Sequence, residues 1–120
     1  MIVIKVWCLP SGQSENDLNH LHKAIVKAVV SVSELCLRDE NDMMCLFPAD
    51  LMKYGLGEEI IIEIDGLPDV PRRNLTVCEK LAKCVGESVS DIYPKAKIEC
   101  SAKEFNPSNG RWSLIEPKKQ

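Results

Sequence analysis

The sequence predicts an α+β domain in which two βαβ units share one four-stranded sheet, with both helices on one face. Three observations carry this reading. Two stretches repeat apolar residues at spacings of three and four, the stripe of an amphipathic helix. Short runs rich in Ile and Val flank them in the order strand–helix–strand, twice. A chain of 120 residues, 45% apolar and 28% charged, has the composition of one globular domain with its own core. Strands joined by a long helix run parallel with a right-handed crossover, so each unit closes on itself.

The first strand runs from Met1 to Cys8, where Ile2, Ile4, Val6 and Cys8 alternate with Val3, Lys5 and Trp7. Leu9-Pro10-Ser11-Gly12 turns the chain. Ser14 then caps a helix, with Asp17 three residues on as a short-armed capping box. Its stripe is Leu18, Leu21, Ile25, Ala28, Val29, Val32 and Leu35. The polar run Arg38 to Asp42 ends it, and Met43 to Phe47 forms a short strand closed by Pro48. Glu58 to Asp65 is the strongest strand, with Ile60, Ile62 and Ile64 on one face and Ile61 on the other. Gly66 to Pro71 turns into a second helix bearing Leu75, Cys78, Leu81, Ala82, Val85 and Val89. Tyr93-Pro94 breaks it, and Ala96 to Ala102 is the last strand before the turn at Asn106 to Gly110. Residues 1–114 form one domain and residues 115–120 a polar tail.

The net charge of −3 argues against electrostatic binding of nucleic acid or an anionic membrane. No apolar run approaches the ~20 residues that span a bilayer. The N-terminus lacks the basic-then-apolar layout of a secretory signal, so a cytoplasmic protein is expected. The cysteines Cys8, Cys36, Cys45, Cys78, Cys84 and Cys100 show no paired ligand spacing. They are read as reduced, packing thiols, with disulfides or a metal as the alternatives; no cofactor or metal is expected. His20 and His22, two apart on a helix, face different ways and are structural. Cys8 and Cys100 lack a neighbouring cation and are packing residues. Arg72 and Arg73 open the second helix against its dipole, which suits either an anionic partner or solvent.

A sheet apolar on both faces, with helices for only one, implies partner subunits or a bound ligand. A ferredoxin-like monomer with some exposed apolar residues is the alternative.

Two segments resemble a known family. Leu46-Phe47-Pro48-Ala49-Asp50-Leu51-Met52-Lys53-Tyr54-Gly55 and Glu104-Phe105-Asn106-Pro107-Ser108-Asn109-Gly110-Arg111-Trp112 are similar to motifs of the tautomerase superfamily. The match is to its macrophage migration inhibitory factor and D-dopachrome tautomerase branch. The resemblance implies a homotrimer of βαββαβ subunits whose sheets enclose a barrel. It also implies chemistry resting on an exposed N-terminal proline, whose amine shuttles a proton between carbon and oxygen. This chain reads Met1-Ile2. Methionine is expected to stay before Ile, and strand parity sets Ile2 opposite the proline. The resemblance further places Arg38 near the family's pocket cation and the backbone amide near Leu67 as a donor to substrate. Glu99 and Ser101 fall where a neighbouring subunit would contribute aromatic and amide groups, and Trp112 falls near the trimer seam or the pocket wall.

The reading that follows is a noncatalytic homotrimer that binds a small ligand or a partner protein, without nucleic acid or membrane. The alternative is a keto–enol tautomerase or isomerase acting on a small carboxylate or phenylpyruvate-like substrate. There the Met1 amine would be the base, Arg38 or Arg72 would bind the carboxylate, and the amide near Leu67 would polarise a carbonyl.

Overall fold

The computed structural model describes residues 2–53, 56–68, 75–105, 113 and 115–118. Strand β1 spans Ile2–Trp7, helix α1 Glu15–Ser31 and strand β2 Met43–Leu46. Strand β3 spans Glu59–Pro68, helix α2 Leu75–Ile92 and strand β4 Lys97–Phe105. The strands form one sheet in the order β2-β1-β3-β4. β1 and β2 pair in parallel, as do β3 and β4, and an antiparallel β1–β3 pair joins the units at the centre. This is the α+β architecture expected from the sequence.

Alternation along β1 decides which side of the sheet is filled. Ile2, Ile4 and Val6 are buried while Val3, Lys5 and Trp7 are half-exposed. The buried set meets Ile60, Ile62 and Ile64 of β3, Leu21, Ile25 and Val29 of α1, and Leu81, Val85 and Val89 of α2 in one core. Each such aliphatic side chain contributes roughly 1.5–3 kcal/mol on burial, so the core fixes β1 and β3 in register. Both helices serve this one core, which leaves the opposite sheet face without helices.

Helix α1 begins as predicted. Ser14 Oγ accepts from Asp17 N at 3.1 Å and Asp17 Oδ2 accepts from Ser14 N at 3.0 Å, which closes the capping box. Its end differs from the single long helix expected. The α-helix stops at Ser31, whose hydroxyl donates to Ala28 O at 2.6 Å. A 3₁₀ turn over Ser33–Leu35 follows, and it still buries Val32 and Leu35.

Four boundaries also move. Cys8 leaves the strand with a left-handed φ of 68°, so it does not continue the inward alternation. β2 stops one residue before Phe47. Gly66, expected in a turn, lies inside β3 with φ 84°, where the pairing with β4 slips between Ile64 and Leu67. A glycine in that conformation is the usual hinge of a bulge, and the extra residue returns Leu67 to the core. β4 runs past Ala102 to Phe105. On α2, Leu75 is 69% exposed and Val77 is buried in its place. A first-turn residue has no preceding turn to fold back upon.

Candidate functional site

Among the described residues, the candidates named from the sequence do not gather at one point within the chain. Ile2 pairs with Met43 at the start of β1 and is 2% exposed, its side chain in the core. Leu67 is fully buried inside β3 rather than in a turn after it, paired with Glu104. The Arg38 side chain is 86% exposed, with Nε 3.6 Å from Asp42 Oδ2. The Arg38 backbone N–H donates to the same oxygen at 2.8 Å, and this bond, with the adjoining charge, holds the Asp42 carboxyl below its usual range. Glu99 and Ser101 are exposed on β4, level with Ile61 and Glu63. β2 and β4 are opposite edges of the sheet, about 14 Å apart at the usual strand spacing, so Arg38, just ahead of β2, and the β4 pair cannot share a ligand within one subunit. Met1, Arg72 and Trp112 lie outside the described residues.

The face without helices carries features the sequence reading did not single out. Trp7 Nε1 donates to Glu63 Oε1 at 2.6 Å. Lys5 stands directly across from Glu63, which stands across from Ser101. An opposite-charge pair facing across strands contributes roughly 0.2–1 kcal/mol. Around this polar row lie Met44, Leu46 and Ile61, all exposed. Strand parity applied to Lys5, Trp7 and Glu63 together is the signal that would have found the row.

A cleft of about 360 Å³ lies beyond the C-terminal ends of the parallel strands β1 and β2. Its apolar walls include Leu9, Pro10, Leu18, Phe47 and Leu56, and its polar lining includes Cys8, Asp50 and Lys53. The wall is fixed from behind. Gly57 N donates to Cys8 O at 2.8 Å, and a Cβ on Gly57 would stand 3.0 Å from Pro10 Cγ. Burial, then the charges of Asp50 and Glu59, push the Cys8 thiol up, so it stays protonated at neutral pH. A protonated thiol is a weak nucleophile, and the structure thus supports a packing role for Cys8. The register Ile2↔Met43 sets Lys5 against Leu46, so β1 runs two residues past the end of β2 beside the cleft, and no local sequence pattern encodes that register.

Elsewhere, a groove between the helices is lined by His20 and Lys27 of α1 and by Ser88 and Asp91 of α2. Burial pushes the Cys45 and Cys100 thiols up to about 11. Among the described residues, no three His, Cys, Asp or Glu side chains are placed to hold a metal ion. No described helix is long and apolar enough to cross a membrane.

No protein-family model matches the chain, and no curated protein matches it. Solved structures do. A member of the cis-3-chloroacrylic acid dehalogenase family superposes with a TM-score of 0.66 at 11% identity, over 98% of this chain and 81% of the other. A fused 4-OT, solved as an asymmetric trimer, gives 0.62 at 12% identity, over 93% of this chain and 91% of the other. Malonate semialdehyde decarboxylase gives 0.62 at 15% identity, over 97% of this chain and 92% of the other. These are tautomerase-superfamily structures, and the likeness is one of fold. Macrophage migration inhibitory factor from Toxoplasma gondii superposes at 0.49, too low to carry the narrower branch resemblance.

Proposed function

We propose that this chain, which has the tautomerase-superfamily fold, is a noncatalytic homotrimer that binds a small carboxylate or keto–enol ligand or a protein partner. The observation that carries the reading is Ile2. Where the resemblance sets a proline base stands Ile2, an aliphatic residue buried in the core, and with Met1 retained before it the Ile2 nitrogen is a peptide amide that takes no proton. The scattered placement supports the same reading, because Arg38, Leu67 and the neighbouring pair Glu99 and Ser101 do not converge on one point within a subunit. The exposed Met44, Leu46 and Ile61 on the helix-free face support assembly through that face, which copies of the chain would cover. The acidic net charge supports neither nucleic acid nor an anionic membrane as partner, and the six thiols suit a reducing, cytosolic setting.

Ketonisation of phenylpyruvate and hydroxyphenylpyruvate tests this directly. The parent protein is expected to leave the buffer rate unchanged. Turnover abolished by acetylating the N-terminal amine would establish the enzyme reading instead. An Ile2→Pro protein, freed of its methionine, is expected to gain a weak rate, roughly 10²-fold over buffer from a positioned base alone.

A further inference from the structure

The cleft beyond the C-terminal ends of β1 and β2 takes its walls from three separate segments. These are the connection from β1 to α1, the first turn of α1, and the connection from β2 to β3. At about 360 Å³ it falls in the range of pockets that hold small molecules. β1 spans six residues, so the cleft stands about 20 Å from Ile2 at the usual rise per residue. It is a place distinct from the one where the resemblance sets the proline base.

Two opposite charges stand on its lining without satisfying each other. Asp50 and Lys53 are the ends of one tight turn, closed by Lys53 N donating to Asp50 O at 3.1 Å. Such a turn keeps its end Cα atoms within about 7 Å. Asp50 Oδ1 accepts from Met52 N at 3.0 Å, which fixes the carboxylate and leaves Oδ2 for a ligand. The Asp50 charge reaches Cys8 in the same cleft, second to burial in pushing that thiol up. Yet neither Asp50 nor Lys53 is in an ion pair among the described residues. A third polar group is Gln13, whose Oε1 accepts from the Tyr93 hydroxyl at 2.6 Å. With its oxygen engaged, the Gln13 amide offers its N–H donors. Leu18, Phe47 and Leu56 add a half-buried apolar wall.

We infer that this cleft binds a small zwitterion of the α-amino acid class with an aliphatic or aromatic side chain. Its ammonium meets Asp50 Oδ2, its carboxylate takes donors from Lys53 and the Gln13 amide, and its side chain lies on Leu18, Phe47 and Leu56. A ligand with one charge would leave the opposite residue partly desolvated and unpaired, which offsets what the other pair contributes. Two charges held on one turn suit groups borne on one carbon better than groups at the two ends of a long chain. The inference rests on the small-carboxylate reading proposed above and deepens it by giving that carboxylate a neighbouring ammonium. The trimer plays no part in it.

Calorimetric titration of the full chain with L-leucine and L-phenylalanine tests it. Binding is expected, weakened about tenfold or more by Asp50→Asn and by Lys53→Gln, since each removes a charge-assisted bond. Asparagine still accepts from Met52 N, so the melting curve should stay that of the parent. Isocaproate, isoamylamine and glycine lack the ammonium, the carboxylate and the side chain in turn, and each should bind at least about tenfold more weakly than L-leucine. L-Leucine should also slow alkylation of Cys8 by iodoacetamide and leave that of Cys36 unchanged, which locates the ligand. Isocaproate binding as tightly as L-leucine, or L-leucine indifferent to Asp50→Asn, would overturn the zwitterion and leave the small-carboxylate reading standing. No binding of either amino acid and no protection of Cys8 would overturn the site itself, whatever the ketonisation assay says of catalysis.

Discussion

Burial governs the chemistry of single residues here more than charge does. Cys36 is exposed, Cys78 is buried, and the other four thiols are half-buried. With burial pushing them up to about 11, Cys45 and Cys100 hold roughly 100-fold less thiolate at pH 8 than a thiol of ordinary pKa near 9. An alkylation time course read by mass spectrometry should therefore modify Cys36 first and Cys45 and Cys100 last, with the late rates climbing as the pH approaches 11. Equal rates at Cys36 and Cys45 would overturn this ordering. The sign for stability follows from the same shift. The folded pKa lies above the unfolded one, so these thiols favour the fold below pH 9, and the contribution is lost as pH rises through about 11. The alternation of Ile2, Ile4 and Val6 was legible because side chains along a strand alternate strictly. The left-handed turns at Cys8 and Lys53 were not, since nothing in a cysteine or lysine announces a positive φ.

At the scale of elements, local chemistry was readable and long-range accommodation was not. The Ser14–Asp17 box lies within four residues, and the structure forms it as expected. The early stop of α1 and the bulge at Gly66 answer to packing between distant segments, which no local pattern encodes. Two glycines separate backbone strain from steric contact. Gly12 has φ 76° with open space where a Cβ would go, while Gly57 has φ 73° with Pro10 Cγ 3.0 Å from that point. Gly12→Ala should cost about 1 kcal/mol for the left-handed backbone alone. Gly57→Ala should cost that and roughly 1 kcal/mol more, because the Pro10 ring must shift. Urea unfolding of both variants checks it, and equal losses would mean that the Pro10 contact gives way freely. The Asp17 carboxyl, held below its usual range first by the Ser14 backbone bond, supports α1 at neutral pH. That support is lost as the pH falls through and below the ordinary range.

At the scale of the molecule, the topology was legible because strands joined through a helix must run parallel and a right-handed crossover leaves few arrangements. The clustering of functional groups was not, because the described candidates are spread from the segment ahead of β2, through the central strands β1 and β3, to the far edge β4, and no local pattern encodes that spread. Ile61 offers a test confined to the helix-free face. It is 36% exposed and lies outside the core, so Ile61→Lys should change the stability of the folded subunit by no more than about 0.5 kcal/mol. In the trimer proposed above, the same lysine would be forced against a neighbour, so sedimentation should show the assembly lost while the circular dichroism stays that of the parent. A variant that melts with its subunit fold impaired would place Ile61 in the core instead.

The sheet contains no hairpin among its described strands. Each ladder joins segments roughly 40 to 60 positions apart, which places the fold among slow, high-contact-order topologies. Helices α1 and α2 can flicker into being within about a microsecond, but no strand can find its partner until a helix has drawn the chain back. During that delay the Ile60-Ile61-Ile62 run and the unpaired edge of β4 are open to strands of other nascent chains. The concentration at which this protein is made, as much as its final stability, then decides how much of it reaches the native sheet.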